Sequence, residues 1–306
     1  MIIRKISLSA LVVFAMAEGF TQSNYQADTL PTFSSHHMDL RIDIPVGEIH
    51  MGNSGVCGAS ISRVLTPNPQ VRQRVHTTSD SHGNLTRMIQ FEHPQAQQNS
   101  AFARTAASDL RISSSLNEAG PSPSNAYKAE YLSDPSMSTS LFVDLGIGAS
   151  RLDLSGLSLT SAGINSALAN VTITYSEPNQ VVMEKMDVHA TKANVVLKNL
   201  EYARAEMITI QNDMGETKVI IGNGYFPQST FFIQSGVGSC SLIIHKKQPV
   251  QIVLRKGFFS SLELPDTYVM MSKGVYANKA FLKNQEKGIK IICNIDFGNI
   301  SVIENE

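Results

Sequence analysis

Apolar and polar residues alternate along most of the chain after residue 140, and the alternation comes in pairs of short runs separated by a small corner. Within a pair the two runs begin 7 to 10 residues apart, which leaves no room for a helix. Period-two alternation is typical of strands with one buried and one solvent-facing side. The pairs return about every 20 residues, and their first strands are marked by Val143, Ile164, Val188, Ile210, Ile233, Ile252 and Ile291.

A repeat of this length, with glycine or asparagine at its corners, predicts one turn of a solenoid per unit. The expected fold class is all-β, a single-stranded β-solenoid similar to a parallel β-helix, built from short two-strand coils stacked in chain order. Residues 152–159 also fit a leucine-rich repeat. The later units are led by Val and Ile and lack a regular asparagine, which disfavours that alternative.

Composition divides the chain into segments around this array. Residues 38–93 show weaker alternation and predict N-terminal β coils, one around residues 40–51 and a second at Val75 with residues 85–89. Residues 94–138 are rich in Ser, Ala, Gln and Pro and predict a long loop or linker. Residues 139–303 predict the main solenoid, which an insertion at 265–288 interrupts.

The first 17 residues resemble a secretory signal peptide. Arg4 and Lys5 precede an apolar stretch of about 11 residues, which ends near Ala15 and Ala17. This stretch is much shorter than the ~20 residues that span a bilayer, and no later segment is long enough. The expected location is therefore secreted, periplasmic or at the cell surface. A lipobox cysteine is missing from the end of the signal, so a lipid anchor is not expected.

Charge and cysteine content narrow the picture further. The 25 Lys and Arg residues nearly balance the 26 Asp and Glu residues, so nucleic acid is not an expected partner. Cys240 and Cys293 share parity with apolar strand neighbours and are expected in the core. With the coil of Ile252 between them they would be too far apart for a disulfide. A partner for Cys57 is left open.

The residues 141–159, LFVDLGIGASRLDLSGLSL, resemble the bacterial toast-rack domain family. That family is related to the C-terminal domains of cell-wall-active antibiotic-response proteins and to candidate adhesins. Residues 42–51, 232–242, 276–281 and 289–300 are similar to the same family, and the resemblance covers roughly residues 38–303. It implies an exported β-solenoid without an established enzymatic activity.

No catalytic residue, cofactor or metal site is predicted. His76, His82 and His93 lie close together in the sequence, but a zinc site needs three or four ligands in fixed geometry and no supporting motif occurs. Asp144 and Asp153 face outward, yet the matching positions of later units are Asn, His, Thr and Gln, which predicts a polar ladder. The corner at Ser239 is not a Gly-x-Ser-x-Gly nucleophile motif.

Aromatic residues are the remaining candidates for a binding surface. They gather near the insertion, where they form either a cap packed on the solenoid or a partner surface: Tyr225, Phe226, Phe258, Tyr268, Tyr276 and Phe281. The resulting expectation is a non-enzymatic, adhesin-like protein that binds a protein or glycan partner at the bacterial envelope. The alternatives are an envelope-stress regulator that binds a membrane partner and, less favoured, a carbohydrate-active enzyme.

Overall fold

The computed structural model describes residues 26–31, 37–55, 59–64, 72–82, 84–92, 128–224 and 229–306, which form an all-β protein. One short α-helix, α1 (Lys279–Lys283), and two 3-10 helices, Leu200–Tyr202 and Gln285–Lys287, accompany the strands. The strands are β1 (Gln26–Pro31), β2 (His37–Asn53), β3 (Ala59–Val64), β4 (Arg72–Ser79), β5 (Leu85–Glu92), β6 (Lys128–Ser133), β7 (Ser138–Asp153), β8 (Ser158–Thr174), β9 (Met183–Lys192), β10 (Val195–Lys198), β11 (Ala205–Ile221), β12 (Thr230–His245), β13 (Val250–Glu263), β14 (Tyr268–Ser272), β15 (Val275–Asn278) and β16 (Ile289–Asn305).

The repeated units stack as parallel strands in one sheet. The order across this stack is β2, β7, β8, then β9 and β10 together, β11, β12, β16 and β13. Corresponding apolar positions lie in register, so that each buried side chain contacts its equivalents in the neighbouring units. One such row consists of Ile42, Val143, Ile164, Val188, Ile210, Ile233, Cys293 and Leu254.

The expectation of two short strands per unit is wrong for most units. β7, β8, β11, β12, β13 and β16 are single strands of 14–17 residues that continue through the corner. In β12 the buried side chains change parity across the corner, from Phe231 and Ile233 to Cys240 and Leu242. Gly238 has a φ of 147°, which few other residues adopt. This conformation keeps β12 paired with its neighbouring strands while the buried positions change from odd to even residue numbers. Among the described strands, the unit of β9 and β10 is divided into two strands, and β5 and β6 pair with the first and second halves of β2 in the same way.

The expectation of stacking in chain order is also wrong, because β16 lies between β12 and β13. Cys293 is paired with Ile233, and Cys240 is paired with Ile300. The coils of the two cysteines are therefore direct neighbours, without the coil of Ile252 between them. Both side chains are buried, as expected, and both are free thiols. Cys57 lies outside the described residues.

The insertion explains the position of β16. Its strands β14 and β15 form a hairpin, and β15 pairs antiparallel with β13. That pairing occupies one side of β13, which leaves the side towards β12 for the last strand. The Asn278 side chain ties the hairpin to β13, since it accepts a hydrogen bond from the Val250 N–H at 3.1 Å and donates to the Gln248 carbonyl at 2.8 Å.

In the N-terminal segment, two strands join the parallel stack, since β2 pairs in parallel with both β7 and β5. β4 adds an antiparallel hairpin to β5, with Val75 opposite Ile89. The reversal follows from Asp80, whose carboxylate accepts hydrogen bonds from the His82 and Asn84 N–H groups at 2.8 and 2.9 Å. The bonds from Asn84 lower the pKa of Asp80.

The segment 94–138, expected to be a loop or linker, contains strand β6 and the first residue of β7. β6 pairs with the second half of β2 because its Ala129 and Tyr131 side chains are buried in the core. Residues 94–127 and the predicted signal peptide, 1–17, lie outside the described residues. In the part of the chain that the structure covers, none of the helices has the length and apolar character to span a bilayer.

Candidate functional site

Solvent-facing side chains of the stacked strands form straight rows across the outer surface of the sheet. Each row follows from the register, because residues paired on parallel strands point to the same side. The row through Asp144 is polar throughout, which confirms the predicted polar ladder. It consists of Asp43, Asp144, Asn165, His189, Gln211, Gln234 and Asn294.

A groove of about 730 Å³ lies on this outer surface, across strands β5, β2, β7, β8 and β9. The floor of the groove is recessed where β8 contributes the small residues Ser161 and Gly163. Phe142 of β7 borders one side, and Lys185 and Asp187 of β9 border the other. The groove thus results from small side chains on one strand between larger side chains on its neighbours.

The ring of Phe142 is held by its neighbours on both sides. A Cβ atom at Gly163 would lie 3.1 Å from Phe142 Cδ2, so the ring leans over the glycine. On the opposite side, the Arg41 guanidinium carbon lies 4.9 Å from the ring centroid, within the range of a cation–π contact. Phe142 is therefore a half-buried ring at the side of the groove, held with one face under the Arg41 guanidinium.

Charges of both signs line the groove. Lys185 Nζ lies 3.2 Å from Asp187 Oδ2, and the two side chains are 57% and 33% exposed. His37 Nε2 lies 3.3 Å from Asp39 Oδ1 and 3.0 Å from the Ser140 hydroxyl. The exposed Lys185–Asp187 ion pair contributes only ~0–1 kcal/mol, so a polar ligand can replace it at low cost.

Solved structures that resemble this chain are described as adhesion proteins. A candidate cell adhesion protein from Clostridium sporogenes ATCC 15579 is 12% identical with a TM-score of 0.43, over 93% of this chain and 100% of that chain. A candidate adhesin from Bacteroides fragilis NCTC 9343 is 10% identical with a TM-score of 0.43, over 92% of this chain and 98% of that chain. A candidate adhesin from Parabacteroides distasonis ATCC 8503 is 12% identical with a TM-score of 0.28, over 92% and 98% respectively.

These identities and TM-scores are too low to carry an argument about function. No family model and no curated protein matches the sequence. The resemblance to the toast-rack family therefore stays a prediction, and the site is assessed from its own residues.

The aromatic residues near the insertion mostly pack inward. Tyr268 is only 9% exposed, Tyr276 packs against the core, and Phe281 packs against Gly288. Tyr276 and Phe281 are only partly buried, so the choice between a cap and a partner surface stays a prediction. Tyr225, Phe226 and the side chain of Phe258 lie outside the described residues.

The adjacent aromatic residues Phe231 and Phe232 point to opposite sides of β12. Phe231 is fully buried, whereas Phe232 is 38% exposed on the same outer surface as Phe142.

Two outward carboxylates lie side by side, contrary to the expectation that the acids do not stack. Asp43 and Asp144 are paired in register on neighbouring strands, ~4.8 Å apart along the sheet. Asp153, in contrast, lies in the second half of β7 and accepts hydrogen bonds from the Ser155 N–H and hydroxyl groups. The sequence did not reveal this pair because the positions matched with Asp144 lay in the units that follow it, whereas Asp43 lies in the N-terminal segment.

The histidines remain separate from one another where they are described. His76, His82 and His189 are exposed, and His50 and His245 are half-buried. Within the residues that the structure describes, no three His, Cys, Asp or Glu side chains come close enough to hold a metal ion. His36 and His93 lie outside that part of the chain.

The groove itself was not predicted from the sequence. Its signal was present, since Phe142 has the same parity as Asp144 and the equivalent position of the next unit is Gly163. The groove depends on the register between neighbouring strands, and the spacing of the repeats in the sequence fixes that register only to within a few residues.

Proposed function

We propose that this protein is an exported, non-enzymatic β-solenoid that presents a glycan-binding surface at the bacterial envelope, in the manner of an adhesin. The observation that carries this proposal is the groove on the outer surface, with one fixed aromatic ring and polar side chains along both sides. The in-register parallel stack supports the solenoid, because each unit adds one strand to a continuous core.

A glycan matches the chemistry of the groove. A sugar ring has an apolar C–H surface that packs on an aromatic ring and a rim of hydroxyl groups that accept and donate hydrogen bonds. The exposed part of the Phe142 ring can pack on the apolar surface of the sugar. Asp187, Lys185 and His189 can form hydrogen bonds with its hydroxyl groups. Protein interfaces instead rely on clusters of buried aromatic and arginine anchors. The single ring beside this groove is a poorer match for them.

The arrangement of the carboxylates favours binding over hydrolysis. Glycoside hydrolases place two carboxyl groups on either side of the scissile bond, ~5–9.5 Å apart. Asp43 and Asp144 belong to one flat row, so they meet a ligand from the same side. Asp39 and Asp187 both line the groove, but three strand spacings, ~14 Å, separate them.

The proposal is tested by applying the purified chain to an array of neutral and acidic oligosaccharides. Binding that is present in the wild type, lost in Phe142→Ala and kept in Phe232→Ala is the expected result. Phe232 is a matched control, because it lies in the row that contains Phe142 but outside the groove. Release of reducing ends from any arrayed glycan would contradict the non-enzymatic function. Co-purification with a membrane sensor, without glycan binding, would favour the regulatory alternative.

A further inference from the structure

One end of the sheet is the short strand β14. In the part of the chain that is described, β14 pairs only with β15, so its other side faces outward from the sheet. An edge strand presents backbone N–H and C=O groups to any strand that approaches it.

The side chains of β14 are apolar and strongly exposed. Val269, Met270 and Met271 are 45%, 60% and 50% exposed, and Leu282 of α1 is 40% exposed. Single exposed apolar residues are common on proteins, but here three successive residues of a two-stranded hairpin are exposed, so apolar side chains extend on both of its faces.

Another edge of the sheet is protected in the way that natural proteins use. Strand β4 pairs only with β5 among the described strands, and it presents exposed Arg74, His76 and Thr77. Charged and polar side chains on an edge discourage contact with other strands. β14 contains no charged residue, so it lacks protection by charge, although it is only 5 residues long and its pairing with β15 is irregular between Met270 and Ser272.

Opposite charges flank β14 in the sequence. Asp266 precedes the strand and Lys273 follows it, and both are exposed. When two such strands pair antiparallel, the start of each lies beside the end of the other, so each Asp266 approaches the Lys273 of the other copy. Parallel pairing would bring like charges together, which is unfavourable.

We propose that β14 pairs antiparallel with β14 of a second copy and thereby forms a two-fold symmetric dimer. The same surface is used by both copies, so the contact closes on itself and does not continue into a filament. The dimer does not depend on the identity of any ligand. If the groove binds a repetitive ligand, two grooves in one dimer would raise the apparent affinity by ~10²–10⁴.

The dimer is tested by light scattering coupled to size exclusion on the purified chain at about 10–100 µM, as expected for a moderate affinity. The expected mass is twice the 33.3 kDa of the full chain, less any signal peptide that has been removed. Met270→Lys places a charge at the centre of the pairing and should give a monomer. Val237→Lys is the control, since Val237 is 49% exposed but lies in β12, far from β14 in strand order, and it should remain dimeric.

Exchanging the charges of Asp266 and Lys273 distinguishes specific antiparallel pairing from non-specific association. Asp266→Lys should weaken dimerisation by about tenfold, and the double variant Asp266→Lys with Lys273→Asp should restore it. Both residues are exposed, so this comparison remains valid if Met270→Lys fails to fold. A monomeric wild type at 100 µM, a dimer that Met270→Lys leaves intact, or a double variant that stays as weak as the single one would each overturn the proposal.

Discussion

At the scale of single residues, glycines at the corners of β11, β12 and β16 allow these neighbouring strands to stay paired. Gly215, Gly238 and Gly298 lie in register on three adjacent strands with φ of 129°, 147° and 136°. A Cβ atom at Gly298 would overlap the carbonyl oxygen of Gly238. Glycine is therefore required there both for its backbone conformation and for the close approach of the next strand.

Gly298→Ala is expected to lower the free energy of unfolding by ~3 kcal/mol or more, because backbone strain and steric overlap both oppose the folded state. Gly52→Ala is the matched control. A Cβ atom there would lie 3.6 Å from Leu132 Cδ2, an ordinary contact, and the expected change is within ~1 kcal/mol. Urea denaturation of the two variants measures the difference, and equal stabilities would contradict the role of the corner.

Burial of the two core cysteines predicts a pH-dependent reactivity. Desolvation raises the pKa of Cys240 from 9.0 to about 12, so the folded protein keeps the thiol protonated. The associated stability is complete below pH 9 and is lost as the pH rises towards 12.

Iodoacetamide at pH 9 should therefore modify Cys240 at least ~100-fold more slowly in the native protein than in guanidinium, because the thiolate is the reactive form. Peptide mass spectrometry follows each cysteine separately. Equal rates in both states, or a native peptide with Cys240 disulfide-bonded to Cys293, would show that the core is arranged differently.

Residue-scale predictions from the sequence succeeded where they depended on local parity. Alternation alone placed Cys240 and Cys293 inside, because successive side chains of any strand point to opposite sides. The side-by-side carboxylates Asp43 and Asp144 were missed because their contact depends on pairing between segments about 100 residues apart.

At the scale of elements, the order of strands could not be predicted from the repeat. Every unit has the same alternation, so the pattern of residues 289–305 does not predict which two strands pair with β16. The hairpin of β14 and β15 decides this by covering one side of β13. The alternation of buried and exposed positions was predictable, whereas the continuity of the strands through the corners and the position of the last strand were not.

The position of β16 predicts the effect of truncation. Removal of residues 289–306 should abolish cooperative unfolding, because β16 pairs along its length with both β12 and β13 and its loss leaves a gap inside the sheet. A terminal coil of a simple solenoid would instead be removable with a modest loss of stability. Circular dichroism during thermal unfolding measures this, with removal of residues 304–306 as the control. A folded truncated chain would contradict the observed order.

At the scale of the whole molecule, the parallel stack of repeated units forms a broad outer surface that carries the groove. Spacing and alternation predicted the surface and its polar ladder. The groove depends on the difference between units, with glycine on β8 beside Phe142 on β7 and Lys185 on β9. Such differences become visible only once the register is known, which is why the sequence directed attention to the aromatic residues of the insertion instead.

Calorimetric titration with the tightest-binding glycan from the array tests the central claim most directly. Phe142→Ala should weaken binding ~10- to 100-fold, or ~1.4–2.7 kcal/mol, because the sugar loses its aromatic contact. Phe232→Ala, on the same surface outside the groove, should bind as the wild type does. An unchanged affinity in Phe142→Ala would contradict the claim that this groove is the binding site.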